Sequence, residues 1–411
     1  MMSGQRRVAS SPDAGLDIVG LFAGVGGLEL GFQRAGHRTR ALCESDPVAK
    51  TVLTKRFPDV RLHDDVRTFR LPDRIGVLTA GFPCTDLSQA GRTAGITGEA
   101  SGLIAGVLDA IESKRRSRRP SWLVIENVPF LLRLDQGAGI RYLTERISQL
   151  GYRWAYRLVD TRSFGIPQRR LRVLLVAGLT DDPRSVLFAD EAVGAFNGDP
   201  HDAPPVGFYW TEGNTGIGWA PDAVPTLKGG SSLSIPSPPA IWLPERIATP
   251  RIRDAERLQG FPAGWTEPAT EFAGSDRPRW KLVGNAVSVP VAQWIGERLS
   301  EPGDIVVEEL GPWSGASWPH AAWGESRGSG FAVQTVAASE SPVRLPLPSV
   351  SGFLEAEPID LSRRATTGFL SRLVRSRLRQ RSLEPFVRSL RDHALSQGAT
   401  RQDLPAAALA L

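Results

Sequence analysis

Short apolar runs alternate with segments of helical periodicity over the first 180 residues of the chain. The apolar runs resemble buried strands that end in turns, and the segments between them carry apolar residues on one side. This alternation predicts a parallel sheet covered by helices on both faces, and so an α/β fold. The predicted strands are 16–22, 40–44, 75–80, 122–125 and 172–177, and the predicted helices are 28–36, 47–57, 102–112 and 140–150.

The pattern changes after residue 180. Residues 181–250 are rich in Gly, Pro, Ser and Trp and have little helical periodicity, which predicts a smaller, irregular or β-rich domain. Trp313, Trp318 and Trp323 recur every five residues, which fits neither helix nor strand, so we assign them to a loop-rich element. Further helices are predicted at 250–258, 291–299, 366–379 and 384–395.

Composition places the 411-residue chain among globular proteins, with 41% hydrophobic and 23% charged residues. No run approaches the roughly 18 apolar residues of a membrane-spanning helix. Residues 1–15 lack the apolar stretch of a secretory signal and are expected to be a disordered leader, so we expect a cytoplasmic protein. The two cysteines, Cys43 and Cys84, have no zinc-ligand spacing, and no metal is expected. A net charge of +5 modestly favours a polyanionic partner.

The first candidate site is the glycine turn Phe22-Ala-Gly24-Val-Gly26-Gly27, which follows a predicted strand and opens a predicted helix. Closely spaced glycines let the backbone approach a ligand, and the helix N-terminus supplies unpaired N–H groups. A dinucleotide fingerprint needs a further glycine where Glu29 stands, so NAD or FAD fits poorly. Glu44 ends the second strand and can accept both ribose hydroxyls. The turn suits a nucleoside-bearing cofactor without a pyrophosphate, and a ligand-free tight turn is the alternative.

The second candidate is Cys84, in the segment Gly81-Phe-Pro83-Cys84-Thr-Asp-Leu-Ser88 after the strand that ends at Ala80. Ligands of open α/β sheets bind beyond the carboxyl ends of the strands, where this thiol is placed. Pro83 fixes the local backbone, and the polar, glycine-rich residues 89–101 resemble a loop that closes over substrate. The alternative is a small buried side chain.

Two further candidates carry charge. Glu126 and Asn127 end a strand, where a carboxylate in a partly dry cleft can donate a proton. Arg170 and Arg172 enter the last strand and, by strand alternation, share one face. Two guanidiniums in one cleft need an anionic or carbonyl partner, and a structural salt bridge to Glu126 is the alternative.

These four segments, together with Arg251-Ile-Arg-Asp-Ala-Glu256-Arg-Leu-Gln-Gly-Phe261-Pro and Gly284-Asn285-Ala-Val-Ser-Val-Pro290, resemble the DNA cytosine-5 methyltransferases. The resemblance covers residues 16–299. It implies a Rossmann-like S-adenosylmethionine-dependent methyltransferase domain, a smaller target-recognition domain and a C-terminal extension. The implied boundaries are 16–180 for the catalytic domain, completed by a helix at 284–300, then 181–275 for the small domain and 301–411 for the extension.

The resemblance also assigns roles to residues. Glu44 is implied to hold the ribose of S-adenosylmethionine, Asp65 the adenine amino group, and Asn285 to lie near the methionine end. The family's remaining cofactor positions fall on Phe22, Gly24, Gly26 and Gly27, and its substrate loop positions on Pro83, Ser88 and Asn127.

The implied mechanism is covalent. The thiolate of Cys84 attacks C6 of a flipped cytosine, Glu126 shares a proton with N3, Arg172 binds O2 and Arg170 positions the site. Thr85 departs from the glutamine that commonly follows the family's catalytic cysteine, so hydrogen bonding around the flipped base can differ.

The resulting expectation is a bacterial DNA cytosine-5 methyltransferase, cytoplasmic and nucleoid-associated, acting as a monomer on double-stranded DNA. It is expected to protect host DNA, with a cognate restriction endonuclease encoded nearby, or to be an orphan epigenetic enzyme. The alternatives are an enzyme of this fold that acts on RNA or transfers a larger group, and a non-catalytic DNA-binding protein. The basic run 114–119 is expected to be a solvated connection, and the arginines of helix 366–379 can face DNA or solvent.

Overall fold

A computed structural model describes residues 15–82, 102–192, 203–212, 216–229, 238–315, 317–327, 330–376 and 383–410. The expected disordered leader therefore lies almost entirely outside the described residues. The described residues form two principal sheets, one of ten strands and one of five, and a two-stranded ladder between residues 168–169 and 224–225. No helix among the described residues is long and apolar enough to cross a membrane.

The ten-stranded sheet has the strand order β14-β16-β15-β6-β8-β5-β4-β1-β2-β3. Its middle strands are short and buried, as the apolar runs predicted. The strands of this sheet are β1 (Asp17–Leu21), β2 (Arg38–Cys43), β3 (Arg61–His63), β4 (Val77–Ala80), β5 (Trp122–Asn127), β6 (Arg153–Asp160), β8 (Leu171–Gly178), β14 (Glu309–Pro312), β15 (Ala321–Arg327) and β16 (Gly330–Val336).

The expectation of a parallel sheet is correct only for β1 to β5. Strand β8 runs antiparallel to both β5 and β6, and β15 runs antiparallel to β6. Residues 161–170, which connect β6 to β8, are too few for the crossover that two parallel strands need, so β8 runs antiparallel to β6. The assignment of Trp313, Trp318 and Trp323 to a loop-rich element is wrong for Trp323, because this residue lies in β15.

Helices cover both faces of this sheet. One face is packed by α1 (Gly27–Arg34) and α9 (Val289–Ser300), and the other by α3 (Leu103–Glu112) and α4 (Ala138–Gln149). The Asp46 side chain caps α2 (Pro47–Arg56) by accepting from the N–H groups of Val48 and Ala49. The shorter helices are α5 (Arg184–Leu187), α6 (Ile252–Arg257), α7 (Glu267–Ala273), α8 (Arg277–Asn285), α10 (Val350–Phe353) and α13 (Ala406–Leu409).

The smaller sheet has the order β10-β9-β12-β13-β17 and belongs to the second domain. Helices α11 (Arg363–Arg375) and α12 (Glu384–Ser396) pack on it around Phe208, Phe369 and Phe386. Its strands, with the pair that bridges the domains, are β9 (Val206–Phe208), β10 (Ala220–Pro221), β12 (Ala240–Trp242), β13 (Ile247–Thr249), β17 (Ile359–Asp360), β7 (Gln168–Arg169) and β11 (Val224–Pro225).

The described residues of the range 301–411 do not pack as a unit of their own. Strands β14 to β16 extend the large sheet beyond β6, whereas β17, α11 and α12 complete the small domain. Trp318 is buried against Trp154 and Tyr156 of β6. The last quarter of the chain is therefore part of both hydrophobic cores.

Candidate active site

A cavity of about 640 Å³ lies at the carboxyl ends of β1, β2, β4 and β5, between the large sheet and residues 281–285. Strand ends meet at one edge of a sheet, so residues that are far apart in sequence converge there. The cavity brings together most of the residues expected from the sequence: its lining includes Phe22, Gly24, Glu44, Asp65, Glu126, Asn127, Arg170, Arg172 and Asn285.

The glycine turn reaches the cavity through Phe22 and Gly24, whose φ angles are 55° and 56°. A side chain added at Gly24 would meet nothing within 4 Å, so its absence leaves open space for a ligand. Gly26 and Gly27 do not line the cavity. A Cβ at Gly26, where φ is 83°, would collide with the ring of Phe57, so this glycine serves the packing of the turn.

Glu44 is fixed at the floor of the cavity. One carboxylate oxygen accepts from the backbone N–H of Gly24 at 2.7 Å, and the other accepts from that of Asp46 at 2.8 Å. Burial raises the pKa of this carboxyl, while those N–H groups act in the opposite direction. Burial of Cys43, together with the nearby charge of Glu44, raises the pKa of the Cys43 thiol to about 12. Cys43 is therefore a thiol, not a reactive thiolate, at neutral pH.

Asp65 lies on the cavity wall with its carboxylate already engaged. Arg67 Nε lies 3.0 Å from both of its oxygens, and this contact lowers the pKa of Asp65. The adjacent Asp64 also lines the cavity and accepts from Lys50 Nζ at 2.7 Å. A ligand amino group at Asp65 has to share the carboxylate with Arg67 or displace it.

The Glu126 carboxylate and the Arg172 guanidinium form an ion pair, with Arg172 Nε 2.8 Å from Glu126 Oε1. Both side chains are nearly buried, and burial lowers the pKa of Arg172 while Glu126 opposes that shift. The salt bridge left open as an alternative is therefore present in the free protein, at the wall of the cavity. Asn127 donates from its side-chain amide to the carbonyl of Phe82 at 3.1 Å, and so ties the end of β5 to the residues that follow β4.

Arg170 is fully buried and its guanidinium is used differently. Nη2 donates to the carbonyl of Ala286 at 2.6 Å, and Nη1 lies 3.3 Å from the carbonyls of Leu227 and Gly284. Burial holds its pKa well below the usual range of an arginine. Arg170 therefore joins the backbone at residue 227 to that at residues 284–286 at the cavity wall, while Arg172 is the guanidinium that contacts Glu126.

Cys84, Pro83, Ser88 and Thr85 lie outside the described residues. Gly81 and Phe82, which directly precede them, line the cavity.

Sequence reasoning missed two residues beside this site, Tyr209 and Lys228. Tyr209 donates its hydroxyl to the carbonyl of Thr226 at 2.7 Å, and the Lys228 ammonium lies 3.8 Å from the centre of its ring. Both residues belong to the irregular insert, where no periodicity indicates which side chains point inward. No sequence signal short of the fold itself could have found them.

The basic run at 114–119 lies at the amino ends of β4 and β5, away from the cavity. Lys114 and Arg118 pair with Asp73, and Arg116 and Arg119 donate to backbone carbonyls. These side chains brace the connection before β5.

Known proteins of similar sequence identify the family. The profile of the family described as C-5 cytosine-specific DNA methylase matches residues 16–199. Type II methyltransferase M2.BsuMI of Bacillus subtilis (strain 168) is 47% identical over 369 residues, which cover 88% of this chain and 94% of that protein. Type II methyltransferase M.NlaX of Neisseria lactamica is 28% identical over 313 residues, covering 69% of this chain and 95% of that protein.

Solved structures show the same fold. The Dnmt2 methyltransferase of S. pombe matches with a TM-score of 0.51 at 15% identity, over 70% of this chain and 98% of that chain. The Entamoeba histolytica methyltransferase EhMeth matches with a TM-score of 0.50 at 13% identity, over 69% and 98%. The fold is thus that of the Rossmann-like methyltransferases. Within that class, the chain belongs to the C-5 cytosine-specific DNA methylase family, whose methyl donor is S-adenosylmethionine.

The cavity fits this cofactor. The open space over Gly24 allows a ligand to approach the backbone, and the fixed carboxylate of Glu44 can accept two hydroxyls of a ribose. The carboxylate–arginine pair lies within the same cavity, so cofactor and target base can meet there.

Proposed function

We propose that the protein methylates C5 of cytosine within one short sequence of double-stranded DNA, as the protective member of a restriction-modification system. The observation that carries the proposal is the Glu126–Arg172 pair, which shares one cavity with Glu44. Membership of the family and the similarity to type II methyltransferases support the same function. We further propose a cytoplasmic, nucleoid-associated monomer with a cognate endonuclease encoded nearby.

The chemistry requires an activated base. C5 of cytosine is a weak nucleophile, and inside a duplex it is out of reach, so the base must be flipped into the cavity. We assign Cys84 as the nucleophile that attacks C6, forming a C6–S bond and pushing electrons toward C5. S-adenosylmethionine, when bound, would supply the methyl group for C5. Loss of the C5 proton then restores the C5–C6 double bond, breaks the C6–S bond and releases the thiolate of Cys84.

Glu126 and Arg172 act on the charge that develops in the ring. We assign Glu126 to share a proton with N3 and Arg172 to donate to O2, where the negative charge accumulates. Their contact in the free protein keeps each side chain in place before the base arrives. Arg170 is assigned a positioning role, because its donors are occupied by three backbone carbonyls.

The test is base-resolution methylation sequencing of DNA from a methylation-free host that expresses the protein, beside a Cys84→Ser control. We expect C5 methyl marks at one short motif in the first sample and none in the control. Unmethylated DNA despite soluble protein would reject the DNA-methylation proposal, and RNA from the same cells would then be sequenced for C5 marks.

A further inference from the structure

The backbone of Lys228 is fixed against the wall of the cavity. The preceding carbonyl, that of Leu227, accepts from Arg170 Nη1 at 3.3 Å. A Cβ added to Gly284 would collide with the backbone of Lys228, so the two segments are in direct contact. Lys228 therefore stands where the small domain meets the cavity, next to the residues assigned to catalysis.

The side chain of Lys228 is poised at the surface. Its ammonium pairs with the carboxylate of Glu212 and lies over the face of the Tyr209 ring, while 43% of the lysine side chain and 40% of that of Glu212 remain exposed. Tyr209 is held from behind by its hydrogen bond to Thr226. The ring is thus a fixed support, and the ion pair is open to solvent on its other side.

The loop that carries Glu212 is held by the C-terminal part of the chain. Arg372 of α11 donates from Nε to the carbonyl of Glu212 at 3.0 Å and from Nη2 to that of Trp210 at 2.8 Å. Because the backbone of residues 210–212 is anchored, the Glu212 side chain can release the lysine without the loop moving.

We propose that Lys228 binds a backbone phosphate of the DNA substrate beside the flipped base, exchanging Glu212 for the phosphodiester. An exposed ion pair contributes little to stability, so exchanging Glu212 for a phosphate has a low energetic cost. A lysine is a compact charge that suits a phosphate oxygen, and phosphate contacts supply most of the affinity of proteins for DNA. The inference rests on the proposed function, since it requires DNA to enter this cavity.

Two substitutions with opposite expected effects test the proposal. In the full-length protein, Lys228→Met should weaken binding of a short duplex carrying the methylated motif by roughly tenfold. It should also reduce the slope of log affinity against log salt by about one. Glu212→Gln should tighten binding by roughly two- to fivefold, because the lysine no longer has to leave a carboxylate. Lys228→Arg should retain the salt slope, and affinity for S-adenosylmethionine should be unchanged in all three variants.

The matched control is the Lys114–Asp73 pair, with a distance of 2.5 Å, at the opposite edge of the sheet. Lys114→Met and Asp73→Asn should leave DNA affinity and its salt slope unchanged. If Lys228→Met and Glu212→Gln shift DNA affinity in the same direction, or not at all, the ion pair is structural and the inference is wrong. If the wild-type protein methylates no DNA, the proposed function is wrong. If the wild type methylates DNA but the variants bind DNA as tightly as it does, only this inference is wrong.

Discussion

Glu29 is a buried carboxyl whose protonation should govern how stability depends on pH. It lies in α1 just after the glycine turn, is 1% exposed, and its carboxyl group faces Gly20, where any side chain would collide with it. Thr79 Oγ1 lies 3.3 Å from Oε1 and 3.5 Å from the carbonyl of Val19. Burial raises the pKa of Glu29 from 4.5 to about 7.

A protonated Glu29 fits this environment better than a carboxylate. The carboxyl can then donate to Thr79, which leaves the threonine hydroxyl free to donate to Val19. The displacement of the pKa from 4.5 to about 7 corresponds to about 3 kcal/mol. Below pH 4.5 the folded and unfolded states both hold the proton, and Glu29 contributes nothing to the pH dependence. Between pH 4.5 and 7 only the folded state holds it, so the free energy of unfolding falls as pH rises.

Glu29→Gln keeps the shape and removes the titration. We expect the variant to unfold at higher urea concentration than wild type at pH 8, by up to about 3 kcal/mol in unfolding free energy. At pH 4.5 that advantage should disappear. Urea unfolding followed by circular dichroism at both pH values measures the difference, and Glu271→Gln, an exposed carboxyl in α7, is the control. An advantage of equal size at both pH values would refute the reasoning, because it would show that Glu29 does not retain a proton on folding.

Three other perturbations have defined outcomes. Glu126→Gln should lower the rate of methyl transfer by roughly 10²- to 10⁴-fold, while calorimetry should show that S-adenosylmethionine still binds. An unchanged rate would mean that Glu126 takes no part in the chemistry. Gly26→Ala should lower the unfolding free energy by about 1–3 kcal/mol, measured in urea, since φ is 83° and Phe57 blocks the added Cβ. Deleting residues 301–411 should give insoluble protein on fractionation, because β6 and Phe208 lose their cover; a soluble, active fragment would contradict the shared cores.

The sequence predicted the elements that position the cofactor side of the site. The helix predicted at 47–57 is confirmed as Pro47–Arg56, and the strand predicted at 122–125 extends through Glu126 to Asn127. In both, a single physical signal dominates: a capping aspartate before a proline in the first, and an unbroken apolar run in the second. Such signals depend on neighbouring residues alone, so they predict the element without knowledge of the tertiary contacts.

Strand β6 and the far edge of the sheet were not predicted, for a physical reason. Residues 153–160 carry charged and aromatic side chains that alternate irregularly, yet nearly all of them are buried. Arg157 can be buried because the carboxylate of Glu191 pairs with it and the carbonyls of Leu187, Asp190 and Ser339 accept its other donors. Because these partners come from later in the chain, no local sequence pattern predicts the strand.

Strand alternation also failed to distinguish the two arginines. Arg170 and Arg172 were expected to share a face, but Arg170 lies in the break between β7 and β8, where the strand period does not hold. Its guanidinium turns to backbone carbonyls, and only Arg172 meets Glu126. On the other side of this break, β7 pairs with β11 of the small domain, a contact that no local pattern around Arg170 indicates.

The position of Arg170 constrains how DNA can enter. Its donors reach carbonyls of Leu227, in the small domain, and of Gly284 and Ala286, beside the helix that completes the large domain. Pulling these segments apart would leave buried donors of a charged group without acceptors, and each such loss costs about 1–3 kcal/mol or more. Arg170 therefore holds the two domains together at the wall of the cavity, so a DNA duplex has to be accommodated without separating these segments.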